Sequence, residues 1–539
     1  MRSLLWAAVA GCAAPPPGAT LPDAAPSLSS DLRGRALSAP GPSIPPACYA
    51  RTDGRNTCHT CHNRALPPNF VERPDLQIVA AFPAPAATNP WTNLFVDRAP
   101  AIARVTDDAI AAYVRVDNYH DADGKIRLAR VLTKPPPGWD ADGDGAWGGW
   151  VPDVAFRADA RGVDQGADGP TGWWLYRFAP FPGAFFPTNG SMGDAWIRLP
   201  VAFRTDAAGR DDVEVYATNL AILEAMVKQA DVLIAPTDEG RLGVDLDQDG
   251  ALGTATRVAY RWGVRQPRVM SWVGAAKDAL ARGEVQLAGG LYPEGTEIAH
   301  SVRYLDVVDG QTRMAARMKE LRYLRKSAWL SYPELQERAR TGLLEEIANP
   351  DALDARYGDV ERGLGTGRGW TVQGFIEDEA GALRPQTFEE TAYCVGCHGG
   401  TSAGQDGVYS FGRRSPYAAA ALPEPIRGDG RGEYAVFLEA ARGLDDFAAN
   451  PDNAALFADG RLRPEVVASL AVDAAPTLTP GPARAWALDK AYREIVLEQS
   501  FARGRDAVWG LTDAQAWREV PEDQPTGVTT PVAPAWMRP

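Results

Sequence analysis

The sequence predicts an α+β chain: a β-containing middle region, predominantly α regions on either side that are most helical toward the C-terminus, and long loops. Three observations lead there. Short aromatic and β-branched runs bounded by Gly, Pro and Asp fill residues 102–300. Apolar spacing of three and four takes over after residue 300. Runs rich in Pro, Ala and Gly lead into the first of these regions. At 539 residues, 45% hydrophobic and 23% charged, the chain is long enough for two or more packed regions.

Residues 1–11 read as a secretory signal, with Met1-Arg2-Ser3, the apolar run LLWAAVA and Gly11 before Cys12. The stretch VAGC (Val9 to Cys12) resembles the bacterial lipobox. That resemblance implies cleavage before Cys12 and its lipidation, and Ala13 implies retention at the outer membrane, facing the periplasm. The alternative is an ordinary signal with a chance cysteine. Residues 12–47, rich in Pro and Ala, read as a flexible tether. No other apolar stretch approaches the roughly 20 residues of a spanning helix.

Five further segments follow from the pattern. Residues 48–101 hold a first cysteine-histidine motif among turn residues. Residues 102–300 form the mixed β/α middle, with strand-like runs at 125–132, 172–178, 195–204 and 285–292. Within it, NLAILEAMVKQA (219–230) has helical spacing, with Asn219 as its cap. Residues 301–520 read as helical, opening with 311–332, where Met314, Met318, Leu321, Leu324, Ala328 and Tyr332 make an apolar stripe opposite Arg and Lys. The runs TFEETAYCVGCH, YAVFLEAARGLDDF and AWALDKAYREIVLEQSF continue that region, and 521–539 reads as an extended tail.

The chemistry is concentrated in two motifs, Cys58-x-x-Cys61-His62 and Cys394-x-x-Cys397-His398. This spacing lets one short turn offer two thioether sulfurs to a porphyrin and an imidazole to its iron. With six Cys and five His in the chain, a given cysteine opens such a pattern by chance about once in 10,000. A four-thiolate zinc site or redox disulfides would explain the cysteine pairs, but not a histidine after each. Two covalent haem c groups are therefore expected, and export agrees with their attachment outside the cytoplasm.

Through these motifs the chain resembles the dihaem c-type cytochromes of bacterial envelopes. CYARTDGRNTCHTCH together with NPWTNLFVDR also looks like a group of large dihaem lipoproteins. The resemblance implies cytochrome c-like, helical haem-bearing regions, especially the C-terminal one, and His62 and His398 as proximal iron ligands. For the distal positions His300, between an apolar run and a strand-like stretch, is the first candidate. Met192 in a Gly-rich loop and Met318 on the apolar stripe follow, with Met314 beside it. His59 sits beside a haem-bearing cysteine, and His120 reads as a solvated loop histidine.

Asp140, Asp142 and Asp144 precede Gly145, and Asp245, Asp247 and Asp249 precede Gly250. Alternating carboxylates before a turn glycine form the front half of a calcium loop, but position twelve is Val151 or Thr256 instead of Glu, so neither is a complete EF-hand. Calcium-stabilised loops of another kind and plain Asp-Gly turns are the two readings. Cys48 is left over and reads as a buried thiol.

A formal charge of −14 argues against a nucleic-acid partner and for a basic redox partner met in a salt-sensitive encounter. The leading expectation is a lipid-anchored dihaem cytochrome that transfers electrons among envelope proteins. The alternative is an enzyme, similar to dihaem peroxidases or rubber oxygenases, in which one iron keeps an open face. A third class is a calcium-dependent binding or structural lipoprotein.

Overall fold

The computed structural model describes residues 51–52, 55–56, 98–176, 191–262, 269–349, 358–388, 390–391, 394–395, 406–408, 456–459, 461–472, 480–499 and 501. The signal, tether and tail, Cys12, Cys48, the first motif with Cys58, His59, Cys61 and His62, and Cys397 and His398 of the second lie outside these residues.

A nine-stranded antiparallel sheet organises the chain. After a short hairpin, β1 (Arg51–Thr52) and β2 (Arg55–Asn56), the strands are β3 (Val163–Gly166), β4 (Gly169–Tyr176), β5 (Ala195–Arg198), β8 (Glu297–Val308), β9 (Gln311–Lys326), β10 (Gly358–Asp359), β11 (Gly363–Gly365), β12 (Trp370–Glu377) and β13 (Leu383–Pro385). They lie in the order β10-β11-β12-β9-β8-β5-β4-β3, with β13 also paired to β12. Two separate hairpins pair β6 (Val232–Asp238) with β7 (Thr254–Val258) and β14 (Phe457–Ala458) with β15 (Arg461–Leu462).

This sheet overturns the expectation of predominantly helical, cytochrome c-like haem-bearing regions flanking a β-containing middle. The run expected as a long amphipathic helix at 311–332 is mostly β9, the centre of the sheet. Its Arg and Lys residues are not a solvated face: Arg317, Lys319 and Lys326 are buried with carboxylates distant in sequence, Glu377, Asp489 and Asp406. Periodicity alone cannot see such partners. The turn before it carries a hairpin signal, Asp309-Gly310, with φ of +53° and +74° closing Val308 against Gln311. Both central residues adopt the left-handed, positive-φ region, as a type I′ turn requires.

Smaller differences follow the same logic. Residues 125–132, expected as a strand, contain the helix α1 (Arg127–Leu132), and 285–292 contain no strand. The helix expected at 219–230 is α2 (Val213–Lys228), which starts earlier. Its cap is Asp212, whose carboxylate accepts the N–H groups of Glu214 and Val215 at 2.9 and 3.1 Å. Asn219 is buried mid-helix instead, donating to the carbonyls of Phe203 and Val273 and accepting from the Val273 N–H.

Both sheet faces are covered. Ile197, Ile298, Leu324 and Val372 lie in one cross-strand row within the main core, which α2 enters through Leu220, Ile222 and Leu223. On the opposite face Trp173, Trp196, Ala299 and Tyr323 pack together, with the Trp150 ring stacked on Tyr323 at 4.2 Å. The helix α3 (Pro482–Glu498) packs Tyr492, Ile495 and Val496 against Tyr304 of β8 and Ile376 of β12. Among the described residues no helix is long and apolar enough to cross a membrane.

Candidate functional site

The two Asp-rich loops share one geometry. Asp140 accepts the N–H groups of Gly143 and Gly145 at 2.6 and 2.7 Å, and Asp245 those of Asp249 and Gly250 at 3.2 and 3.0 Å, which curls each loop around its first carboxylate. A glutamate from outside then closes each loop. Glu361, in the turn between β10 and β11, accepts the N–H of Ala141 at 3.1 Å and that of Gly148. Glu239, just after β6, accepts those of Leu246 at 2.6 Å and Gly253 at 2.8 Å. In both loops these are the second and ninth positions.

The result is two trios of carboxylates, Asp140-Asp142-Glu361 and Glu239-Asp245-Asp247, each with one oxygen per residue lying within 4.8 Å of the others. Asp144 and Asp249 stand outside the trios, each accepting the N–H two residues on at 2.8 Å. Glu361 and Glu239 are buried. Burial pushes the Glu361 carboxyl up, while Arg362 at 2.5 Å holds Asp142 below its ordinary range. Three hard oxygen donors are a partial ligand set for a calcium ion, which takes six to eight oxygens. Sequence reasoning missed both glutamates. Both loops read D-x-D-x-D-G-A-x-G, and Glu239 stands six residues before Asp245, so one of the two was within reach.

At the second motif, Thr387 and Glu390 form a reciprocal cap: the Thr387 N–H donates to Glu390 at 2.8 Å and the Glu390 N–H to the Thr387 hydroxyl at 3.2 Å. Residues 388, 390, 391, 394 and 395 are helical. Arg384 clamps the Glu390 carboxylate through two nitrogens, at 2.9 and 3.0 Å, with both side chains buried. This fixes the segment carrying Cys394 against the sheet. Cys394 packs at the edge of the main core, its Sγ 3.7 Å from the Glu390 carbonyl, and within electrostatic reach of the Arg322 guanidinium on β9. Arg322 donates to Glu320 at 2.8 Å.

His300 lies on β8 between Ala195 on β5 and Arg322 on β9. Its Nδ1 is 2.7 Å from the Ser301 carbonyl, which accepts and cannot donate, so Nδ1 carries a proton. Met192 pairs its backbone with Arg303. Met318 is fully buried opposite Arg303, and Met314 is exposed. His120 is buried, not solvated, with Nδ1 2.9 Å from Asp117 and Nε2 3.1 Å from the Ala155 carbonyl.

A model of a lipoprotein family matches residues 33–416, a span that contains both cysteine-histidine motifs and both Asp-rich loops. The chain belongs to that lipoprotein family. The lipoprotein is 30% identical over 535 aligned residues to an "Uncharacterized lipoprotein" of Aquifex aeolicus (strain VF5), covering 87% of this chain and 86% of that one. No solved structure matches it.

Proposed function

We propose that the lipoprotein is a dihaem c-type electron carrier of the bacterial envelope, anchored through Cys12 to the outer membrane and facing the periplasm. One observation carries this reading: two C-x-x-C-H motifs, more than three hundred residues apart, in a chain with an export signal and lipoprotein kinship. Cys58, Cys61 and His62 would hold one haem, and Cys394, Cys397 and His398 the other. A bound c-type haem supplies a one-electron iron couple.

The residues at the second motif fit that role. A capped helical segment, clamped through Arg384 and Glu390, holds Cys394 in place. The buried sheet beneath it keeps the surroundings of low dielectric, the setting in which axial ligands and nearby charges tune a potential most strongly. The net charge of −14 favours a basic redox partner and an encounter that weakens as salt screens it.

Calcium belongs to the same proposal as a structural ion. Asp140, Asp142 and Glu361 would hold one ion, and Glu239, Asp245 and Asp247 a second. The first loop is pinned to the sheet through Trp150, whose backbone N–H donates to Gln373 at 3.0 Å.

The test of the function is the absorption spectrum of the purified, dithionite-reduced lipoprotein before and after carbon monoxide. An unchanged spectrum means that both irons are closed by protein ligands, as an electron carrier requires. A shift in about half of the haem means one open iron and replaces this reading with that of an enzyme acting on peroxide or dioxygen.

A further inference from the structure

We infer that Lys326 and Asp406 are the two ends of an intramolecular isopeptide bond, in which the lysine Nζ is joined to the aspartate Cγ with loss of water. The inference goes beyond electron transfer and does not rest on haem.

Two distant parts of the chain place the pair. Lys326 is the last residue of β9 and stands opposite Trp370, the first residue of β12. Asp406 and Gly407 adopt φ of +54° and +78°, a turn that an Asp-Gly sequence permits, and it delivers the carboxylate to the end of that strand. The Lys326 Nζ donates to both carboxylate oxygens at 2.7 Å, with the two side chains 0% and 1% exposed. An amine this close to both oxygens stands within the roughly 3–3.5 Å of the carbon between them at which reacting atoms must be held.

Burial favours the reactive forms. It pushes the Lys326 ammonium down and the Asp406 carboxyl up, each against the pull of the other. One proton passing from Nζ to the carboxylate leaves a neutral amine, which is a nucleophile, beside a neutral acid, which is an electrophile. The Trp370 ring lies 5.2 Å from Nζ, and Tyr292 packs edge-to-face on that ring at 5.5 Å. Both aromatic residues are buried and wall the pair off from bulk water.

The polar neighbours match the charge that develops. The Tyr292 N–H donates to Asp406 Oδ2 at 3.2 Å, and the Arg368 guanidinium lies within electrostatic reach of the same carboxyl. Both stabilise an oxygen that turns negative as the carbonyl is attacked. The Arg368 carbonyl accepts from Nζ at 3.3 Å and directs the amine. Nζ attacks Cγ, the C–N bond forms, the Cγ–OH bond breaks, and the hydroxyl leaves as water with a proton from the nitrogen. Ammonium and carboxylate thereby become one amide and one water, with no oxidant or cofactor. The bond covalently closes the chain between residues 326 and 406, a span that contains the second cysteine-histidine motif.

The test uses the full chain, unfolded, digested with trypsin and read by tandem mass spectrometry. Trypsin should fail to cut after Lys326, and a branched peptide should carry Lys326 and Asp406 together with the mass of its two arms less one water. Lys326→Arg keeps the charge but supplies no nucleophilic amine, and Asp406→Ala removes the electrophile, so each should give only linear peptides. If either variant does not fold, the wild-type peptide map decides alone. Wild-type protein that unfolds cooperatively, yet yields Lys326 and Asp406 only in unlinked peptides, overturns the inference and leaves a buried ion pair. A branched peptide that persists in Lys326→Arg or Asp406→Ala overturns the assignment to these two residues.

Discussion

Glu361 accepts the backbone N–H of Ala141 at 3.1 Å across 220 residues of chain. Glu239 makes the equivalent bond to Leu246 at 2.6 Å over only seven. The same loop is thus closed twice, once by a distant glutamate and once by a nearby one. Each closure brings a third carboxylate to within 4.8 Å of two aspartates, a crowding of negative charge that a divalent cation would relieve.

Calcium titrated into the metal-free lipoprotein should therefore bind at two sites and raise the melting temperature. A concentration one hundred times the dissociation constant stabilises by about 2.7 kcal/mol per site. Glu239→Gln and Glu361→Gln should each weaken one site while keeping an acceptor oxygen for the loop. Calorimetry that finds the wild-type stoichiometry and affinity in both variants would remove calcium from the account.

Arg317 and Glu377 form a fully buried pair at 2.7 Å, and Tyr113 and Tyr304 donate to the same carboxylate at 2.5 and 2.7 Å. Removing one charge strands the other away from water. Glu377→Ala should cost about 3–5 kcal/mol in denaturant unfolding, and Arg317→Met/Glu377→Leu should recover much of that loss. A cost below about 1 kcal/mol for Glu377→Ala would show that the pair is open to solvent.

Lys319 and Asp489 are fully buried 3.6 Å apart, with Asp489 also accepting the Leu305 N–H at 3.2 Å. Burial pushes the Asp489 carboxyl up to about 8 and the Lys319 ammonium down to about 8, each against the pull of its partner. Between about 4 and 8 the folded chain keeps the Asp489 proton that the unfolded chain releases, so this contribution is full at low pH and is lost as pH rises to 8. Above 8 the unfolded chain holds the Lys319 proton more tightly, and stability recovers toward pH 10.5. Asp489→Asn should abolish the falling limb: between pH 5 and 8 its unfolding midpoint in urea should fall less than that of the wild type. Parallel midpoint curves would contradict the shift.

How much of this was legible in the sequence depended on how local the determining interactions are. The two C-x-x-C-H motifs, the Asp-rich loops and the strand around Trp173 and Trp174 are short-range patterns and could be read directly. The Asp309-Gly310 hairpin turn and the Thr387–Glu390 cap were equally local, yet the turn was hidden by the three-and-four spacing that follows it. β9 reads as a helix because a strand buried on both faces carries apolar residues without strict alternation, so that some of them fall three and four apart. Its charged residues, which look solvent-facing, find partners sixty to one hundred and seventy residues away. Glu361 carries no local signal at all, since only the fold brings the β10–β11 turn to the first loop.

The central claim is that both motifs carry covalent haem, and counting the haem tests it most directly. The intact lipoprotein, expressed with a c-type maturation system, would be denatured, extracted with acidified acetone and assayed as its pyridine haemochrome against protein concentration. The account predicts two acetone-resistant haem c groups per chain, falling to one in either cysteine-pair variant. A folded lipoprotein that retains none would contradict it.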